Sequence, residues 1–130
     1  MDYYLSKWYS LELLESQINS VEQEKEFFYV AIHSTLVAGY CNIAPRENGM
    51  ELSRLYLLPE YIGKEIGKKL LKLGEDFLGS KGINKYYCFV NRGNDLGMRF
   101  YRRNGFKNVP GKDLNNLEKH ECHFYMEKQI

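Results

Sequence analysis

Between Phe27 and Leu58 the chain alternates short apolar runs with polar breaks, and the spacing predicts three strands. FFYVAIH and LVAGYCNIA are β-branched and aromatic runs separated by Ser34-Thr35, which reads as an antiparallel hairpin. PRENG, residues 45–49, is a turn by composition. A third strand follows from Met50 to Leu58 and stops at Pro59, which cannot extend a central ladder. Before these strands, Leu11, Leu14, Ile18 and Val21 recur every three or four positions, predicting a helix capped by Ser10 and running to about Gln23. After them, Ile66, Leu70, Leu73 and Phe77 form one helical stripe with Leu71 and Leu78 beside it, and Gly79 and Gly82 are candidate terminators. Lys85 to Asn91 reads as a buried strand. A short helix, DLGMRFYRRN, is capped by Asn94 or Asp95 and ended by Gly105; Phe106 to Val109 starts another strand, and Glu121 to Lys128 is the last.

The predicted order is α, β, β, β, α, β, α, β, β, with no repeat, low-complexity segment or linker. Strands alternating with helices after residue 50 require at least one right-handed parallel crossover, so the class is α/β or α+β with a mixed sheet. At 130 residues the chain is expected to be one domain spanning 1–130.

Composition narrows function mainly by exclusion. The net charge of +1 gives no bulk attraction to nucleic acid, an anionic membrane or an acidic partner, so no nucleic acid and no membrane are expected. No apolar run approaches a membrane span, and MDYYLSKWYS lacks a signal-peptide core. The three cysteines, Cys41, Cys88 and Cys122, are odd in number and sit in apolar runs, which suits reduced thiols and a cytoplasmic location. His120, Cys122 and His123 lack a standard metal-ligand spacing, so no metal is expected.

The stretch ELSRLYLLPEYIGKEIGKK, residues 51–69, changes this picture. A strand that stops at a proline and enters a helix through glycine is a natural anion site, because unpaired backbone N–H groups point outward there. The N–H groups of Gly63, Lys64, Glu65, Ile66, Gly67 and Lys68 lie at that helix start, and Lys64, Lys68, Lys69 and Lys72 add a local positive field that the net charge conceals. Read alone, the same residues also suit an ordinary solvated helix face.

LYLLPEYIGKEIGKKLL, residues 55–71, resembles the acetyl-CoA-binding motif of the GNAT superfamily of N-acetyltransferases, and NDLGMRFYRRNGF, residues 94–106, is similar to its later motif. The two occur in the family's order and at about its spacing. The likeness extends over most of the chain from residue 27 onward. Ile62 stands where the family usually has Arg or Gln, and Glu65 where it has its first motif glycine; a carboxylate beside phosphates is expected to lower affinity. The family's usual opening strand and helix are not among the predicted elements, which leaves a sheet edge open and makes a homodimer an expectation.

The resemblance implies a GNAT-like mixed, mostly antiparallel twisted sheet flanked by helices, with a parallel β-α-β unit that binds acetyl-CoA. It implies acetyl transfer to a primary amine of a small molecule or peptide, made directly in a ternary complex. In it, the backbone of Leu55, Tyr56 and Leu57 contacts the acetyl arm where this strand and Lys85–Asn91 splay apart. Tyr101 is the implied general acid for the leaving sulfur. Asn94, seven positions earlier, caps its helix, with or without a cofactor contact. For the base the family offers two strand positions, here Glu51 and Ser53, which share a face by period-two geometry, so Glu51 is the acid at hand. Two other readings stay open: a catalytically degenerate acyl-CoA-binding module, or a protein-interaction domain. Glu12, Glu15 and Asp113 are either an attraction for a polyamine or plain surface charge.

Overall fold

The computed structural model describes residues 4–6, 26–116 and 121–130. The helix expected from Ser10 to Gln23, with Glu12 and Glu15, lies outside them, as do His120 and the side chain of Cys122.

The sheet begins with β1 (Tyr4–Ser6), antiparallel to β2 (Phe27–His33) with Leu5 opposite Ala31. This corrects the expectation of a missing opening strand. Three residues are too few to show an alternation, so only pairing reveals the strand. The open-edge argument for a homodimer loses its premise at the residues β1 covers.

β2 turns at Ser34-Thr35 into β3 (Leu36–Arg46), the hairpin that the two apolar runs predicted. β4 (Gly49–Leu57) follows after Glu47-Asn48 alone, because Pro45 still stands opposite Met50 and Arg46 opposite Gly49. The β3–β4 ladder carries one irregularity: Ile43 faces Leu52 but Asn42 faces Arg54, leaving Ser53 as the extra residue of a β-bulge. The bulge lets Leu52 and Leu55, three positions apart, both feed the core, whereas a regular strand would send them to opposite faces.

Pro59–Tyr61 forms a single 3-10 turn after β4, and Leu58 N–H donates to the Ala38 carbonyl at 2.8 Å. Helix α1 (Ile66–Ser80) then packs on β2, β3 and β4. Its most deeply buried apolar residues are Ile66, Leu70, Leu71 and Leu78, while Leu73 and Phe77 of the expected stripe sit at the margin. Each fully buried leucine contributes roughly 1.5–3 kcal/mol relative to exposure. The chain reverses at Gly82, where Ile83 N–H donates to the Leu78 carbonyl.

β5 (Lys85–Asn91) completes the parallel crossover beside β4. Helix α2 (Asp95–Arg103) ends at Gly105, and Phe106 returns to the core at 2% exposure. β6 (Lys107–Asn108) and β7 (Leu114–Asn116) both pair with β8 (Glu121–Gln129). The sheet order is β1-β2-β3-β4-β5-β8-β6, with β7 also on β8. No helix among the described residues is long and apolar enough to cross a membrane.

Two buried polar groups need partners, and both have them. Glu75 on α1 accepts from the Tyr86 hydroxyl at 2.6 Å and from Lys128 Nζ at 2.7 Å. Asn42 donates to the Phe27 carbonyl at 3.1 Å. Cys41 and Cys88 are free and buried; burial pushes the Cys41 thiol up to about 12 and moves Cys88 in the same direction. Neither is a ready nucleophile at neutral pH.

Candidate active site

β5 pairs with β8 along its whole length but with β4 at one place, where Glu51 stands opposite Tyr87. Beyond that point the two strands part. The gap is a cleft of about 340 Å³ walled by Ser53, Leu55 and Tyr56 on one side and by Phe89, Val90 and Asn91 on the other. Asn94 and Tyr101 of α2 also line it. This is the splay expected between the two strands, and its volume lies in the range of small-molecule sites.

Tyr101 is positioned by its own helix and by two rings, edge-on to Phe100 at 5.3 Å and to Phe106 at 5.2 Å between centroids. Burial, with smaller contributions from Cys88 and Cys41, pushes its hydroxyl well above the ordinary phenol range. The group is therefore a protonated phenol at neutral pH. Its hydroxyl has no hydrogen-bond partner among the described residues. Asn94 caps α2: its Oδ1 accepts from Gly97 N–H at 2.9 Å. It also stands on the cleft wall, so the cap is present and a contact with a bound ligand is within its reach.

The start of α1 is built differently. The helix begins at Ile66, and Gly63 to Glu65 are loop, with φ 85° at Gly63 and 64° at Glu65. Glu65 is the N-cap residue yet its side chain makes no capping bond, and no acid sits in the first turn. The first N–H groups of a helix have no intrahelical partner, so this end faces outward with open donors. Beside it, Lys68, Lys69, Lys72 and Lys128 line a groove of about 330 Å³ together with Glu65 and Asn104. Lys72 is paired with Asp76 and Lys128 with Glu75, whereas Lys68 and Lys69 have no ion partner among the described residues. Gly67 brings the two helices together, since a Cβ there would lie 2.9 Å from Phe100 Cζ. The orphan donors of α1 and the phenol of α2 thereby share one region.

The remaining expected residues divide. Leu55 and Leu57 pack against the core; Leu55 also lines the cleft and Leu57 does not, while Tyr56 lines it, is 47% exposed and lies 6.0 Å from the Tyr40 ring. Glu51 is not among the residues lining the cleft. It stands at the closed end of the splay with Oε1 held by Arg46 Nε at 2.9 Å. Asp113 is a structural acceptor, taking Tyr125 N–H at 2.7 Å and Asn108 Nδ2 at 3.0 Å.

Sequence reasoning missed Tyr40, Arg54 and the Ser53–Asn42 hydrogen bond of 2.5 Å, which all belong to the cleft or its support. One signal was available. Ser53-Arg54 are consecutive polar residues between Leu52 and Leu55, which a regular half-buried strand does not tolerate but a bulge does.

Residues 1–106 match the model of the acetyltransferase (GNAT) family. The chain belongs to the GNAT acetyltransferases. It is 34% identical over 125 residues to the spermidine N(1)-acetyltransferase of Thermoplasma acidophilum, covering 91% of this chain and 78% of that protein. Among solved structures, the PaiA N-acetyltransferase of Thermoplasma acidophilum in complex with coenzyme A superposes with a TM-score of 0.76 at 27% identity, over the whole of both chains. An IAA acetyltransferase from Bacillus cereus superposes with a TM-score of 0.70 over 99% of this chain and 100% of that one; at 14% identity it shares the fold. The GNAT sheet, its splayed parallel pair and its uncapped helix are thus the frame of an N-acetyltransferase, and the donors at α1 with the lysine groove fit a phosphate-bearing cofactor.

Proposed function

We propose that the protein transfers the acetyl group of acetyl-CoA to a primary amine of a small molecule or peptide, directly in a ternary complex. The observation that carries the reading is the unpartnered, protonated Tyr101 hydroxyl in the cleft between β4 and β5. The backbone from Leu55 to Leu57 lies along the acetyl arm. The open N–H groups from Ile66 to Lys68, with Lys64, Gly63 and Gly67 around them, hold the pyrophosphate. Bond by bond, the amine nitrogen attacks the thioester carbon, the carbon–sulfur bond breaks, and Tyr101 O–H protonates the departing sulfur. An ammonium acceptor first releases one proton to water, and after attack the nitrogen gives up a second proton that restores the Tyr101 phenol, so the products are the amide, the free thiol and one proton in solution. Glu51 stands two residues from Ser53 on the same strand, close enough to take that proton through water on its second carboxylate oxygen.

The 34% identity to a spermidine acetyltransferase supports polyamines as the first acceptors to try. Calorimetric titration with acetyl-CoA followed by turnover over a panel of amines tests the reading. Saturable binding and turnover are expected; no binding would remove the cofactor assignment, and tight binding without any turnover would make the chain an acyl-CoA binder. Glu51→Gln is expected to change how the rate depends on pH, and an unaltered profile would place the proton's exit elsewhere.

A further inference from the structure

The β-bulge carries more than a kink. Asn42 is 5% exposed, and its Nδ2 lies 3.1 Å from the Phe27 carbonyl oxygen, a group that only accepts. That contact fixes the amide's orientation, so the atom facing Ser53 Oγ at 2.5 Å is Oδ1, also an acceptor. Ser53 must therefore be the donor. A serine hydroxyl has one proton, and here it is committed to Asn42. Toward the cleft, which Ser53 lines, its oxygen presents lone pairs alone.

An oxygen restricted to accepting suits a ligand restricted to donating. An ammonium group offers three N–H donors and no acceptor. The position is right as well. Cys41 and Ile43 reach α1 on one face of the sheet, so Asn42 between them points to the other, and Ser53 meets it there. Tyr101 belongs to α2, whose Phe100 packs against the first turn of α1, so it enters the cleft from the opposite face. Proton delivery to sulfur and proton loss from nitrogen would then occur on opposite sides of one sheet, which keeps the acid and the incoming amine apart. We propose that Ser53, oriented by Asn42, is the residue that holds and aims the acceptor amine, with the exposed Tyr56 ring beside Tyr40 forming the adjoining wall. This rests on the acetyl-transfer reading above.

The test uses the full chain with acetyl-CoA and, as amines, spermidine, putrescine and lysine. Ser53→Ala is expected to lower kcat/KM for the best of these amines by roughly 10- to 100-fold, chiefly through KM, the effect of one hydrogen bond to a charged group. The Kd for acetyl-CoA should stay at its wild-type value, while the melting temperature falls by a few degrees because Asn42 Oδ1 loses its donor. Ser53→Thr, which keeps the hydroxyl, should recover most of the loss. With an active wild type, an Ala variant within twofold of it overturns the role of Ser53, and so does a Thr variant as impaired as Ala. A wild-type chain that acetylates none of the amines overturns the acetyl-transfer reading and this assignment together.

Discussion

The two described α-helices open in opposite ways. α2 closes its own N-terminus: Asn94 accepts from Gly97 N–H, and Asp95 supplies a negative charge in the first turn. α1 has no side-chain cap, no acid in its first turn, a left-handed glutamate at the cap position and lysines along the adjoining groove. Both ends carry the same unpaired donors and the same positive end of the dipole. The first end has one donor met by its own cap, and the second has no side-chain cap, which suits an external anion. On the proposed reading the comparison divides the labour: α1 presents backbone donors to the cofactor, and α2 presents Tyr101.

The largest effect expected concerns that division of labour. Tyr101→Phe should lower kcat by about 100- to 1000-fold while leaving acetyl-CoA binding unchanged. Because burial raises this phenol above its ordinary value of 10.0, its proton is retained on going from neutral to alkaline solution. The rate should show no falling limb from this group below about pH 10. Stopped-flow turnover across pH checks both statements, and an undiminished kcat in the Phe variant would take Tyr101 out of the chemistry.

Lys68→Glu would make the start of α1 resemble that of α2. Acetyl-CoA affinity should drop about tenfold at low salt and the difference should shrink as salt screens it. The helix itself should gain roughly 0.3–1 kcal/mol from an acid near its N-terminus. Titration and denaturant melts on one sample read the two opposite signs; equal affinity would show that α1's end is not the anion site.

Asn94→Ala breaks the comparison from the other side. Removing the cap of α2 should cost about 1 kcal/mol of stability, read from urea unfolding, with acetyl-CoA binding little altered. A large loss of affinity would instead show that Asn94 contacts the cofactor directly.

The smallest effect is expected from Glu65→Gly. A non-glycine residue at φ 64° is strained, so glycine there should be about 0.5–1 kcal/mol more stable despite its greater freedom in the unfolded chain. Removing the carboxylate from the lysine groove should also tighten acetyl-CoA binding, and weaker binding would show that Glu65 organises the site.

Much of this is legible in the sequence. The hairpin at Ser34-Thr35, the strand from Lys85 to Asn91, the Asn94 cap and the crossover follow from period and punctuation, which are local. β1 escaped because a strand of three residues has no measurable period. The Ser53 bulge escaped because a two-residue polar interruption looks like a fault in a strand until its partner, Asn42, is known. The Glu75–Tyr86–Lys128 cluster joins residues 53 positions apart at its widest, and nothing local marks it.

The sequence by itself determined the elements, the glycine-led start of α1 and the pair of motifs that mark an acetyltransferase. These depend on side-chain period and on turn chemistry, which act over a few residues. Only the tertiary structure decided that β4 and β5 meet at Glu51 and Tyr87 and part beyond them, and that Ser53 and Tyr101 both line the resulting gap. Those facts are set by strand pairing and helix packing between segments far apart in the chain.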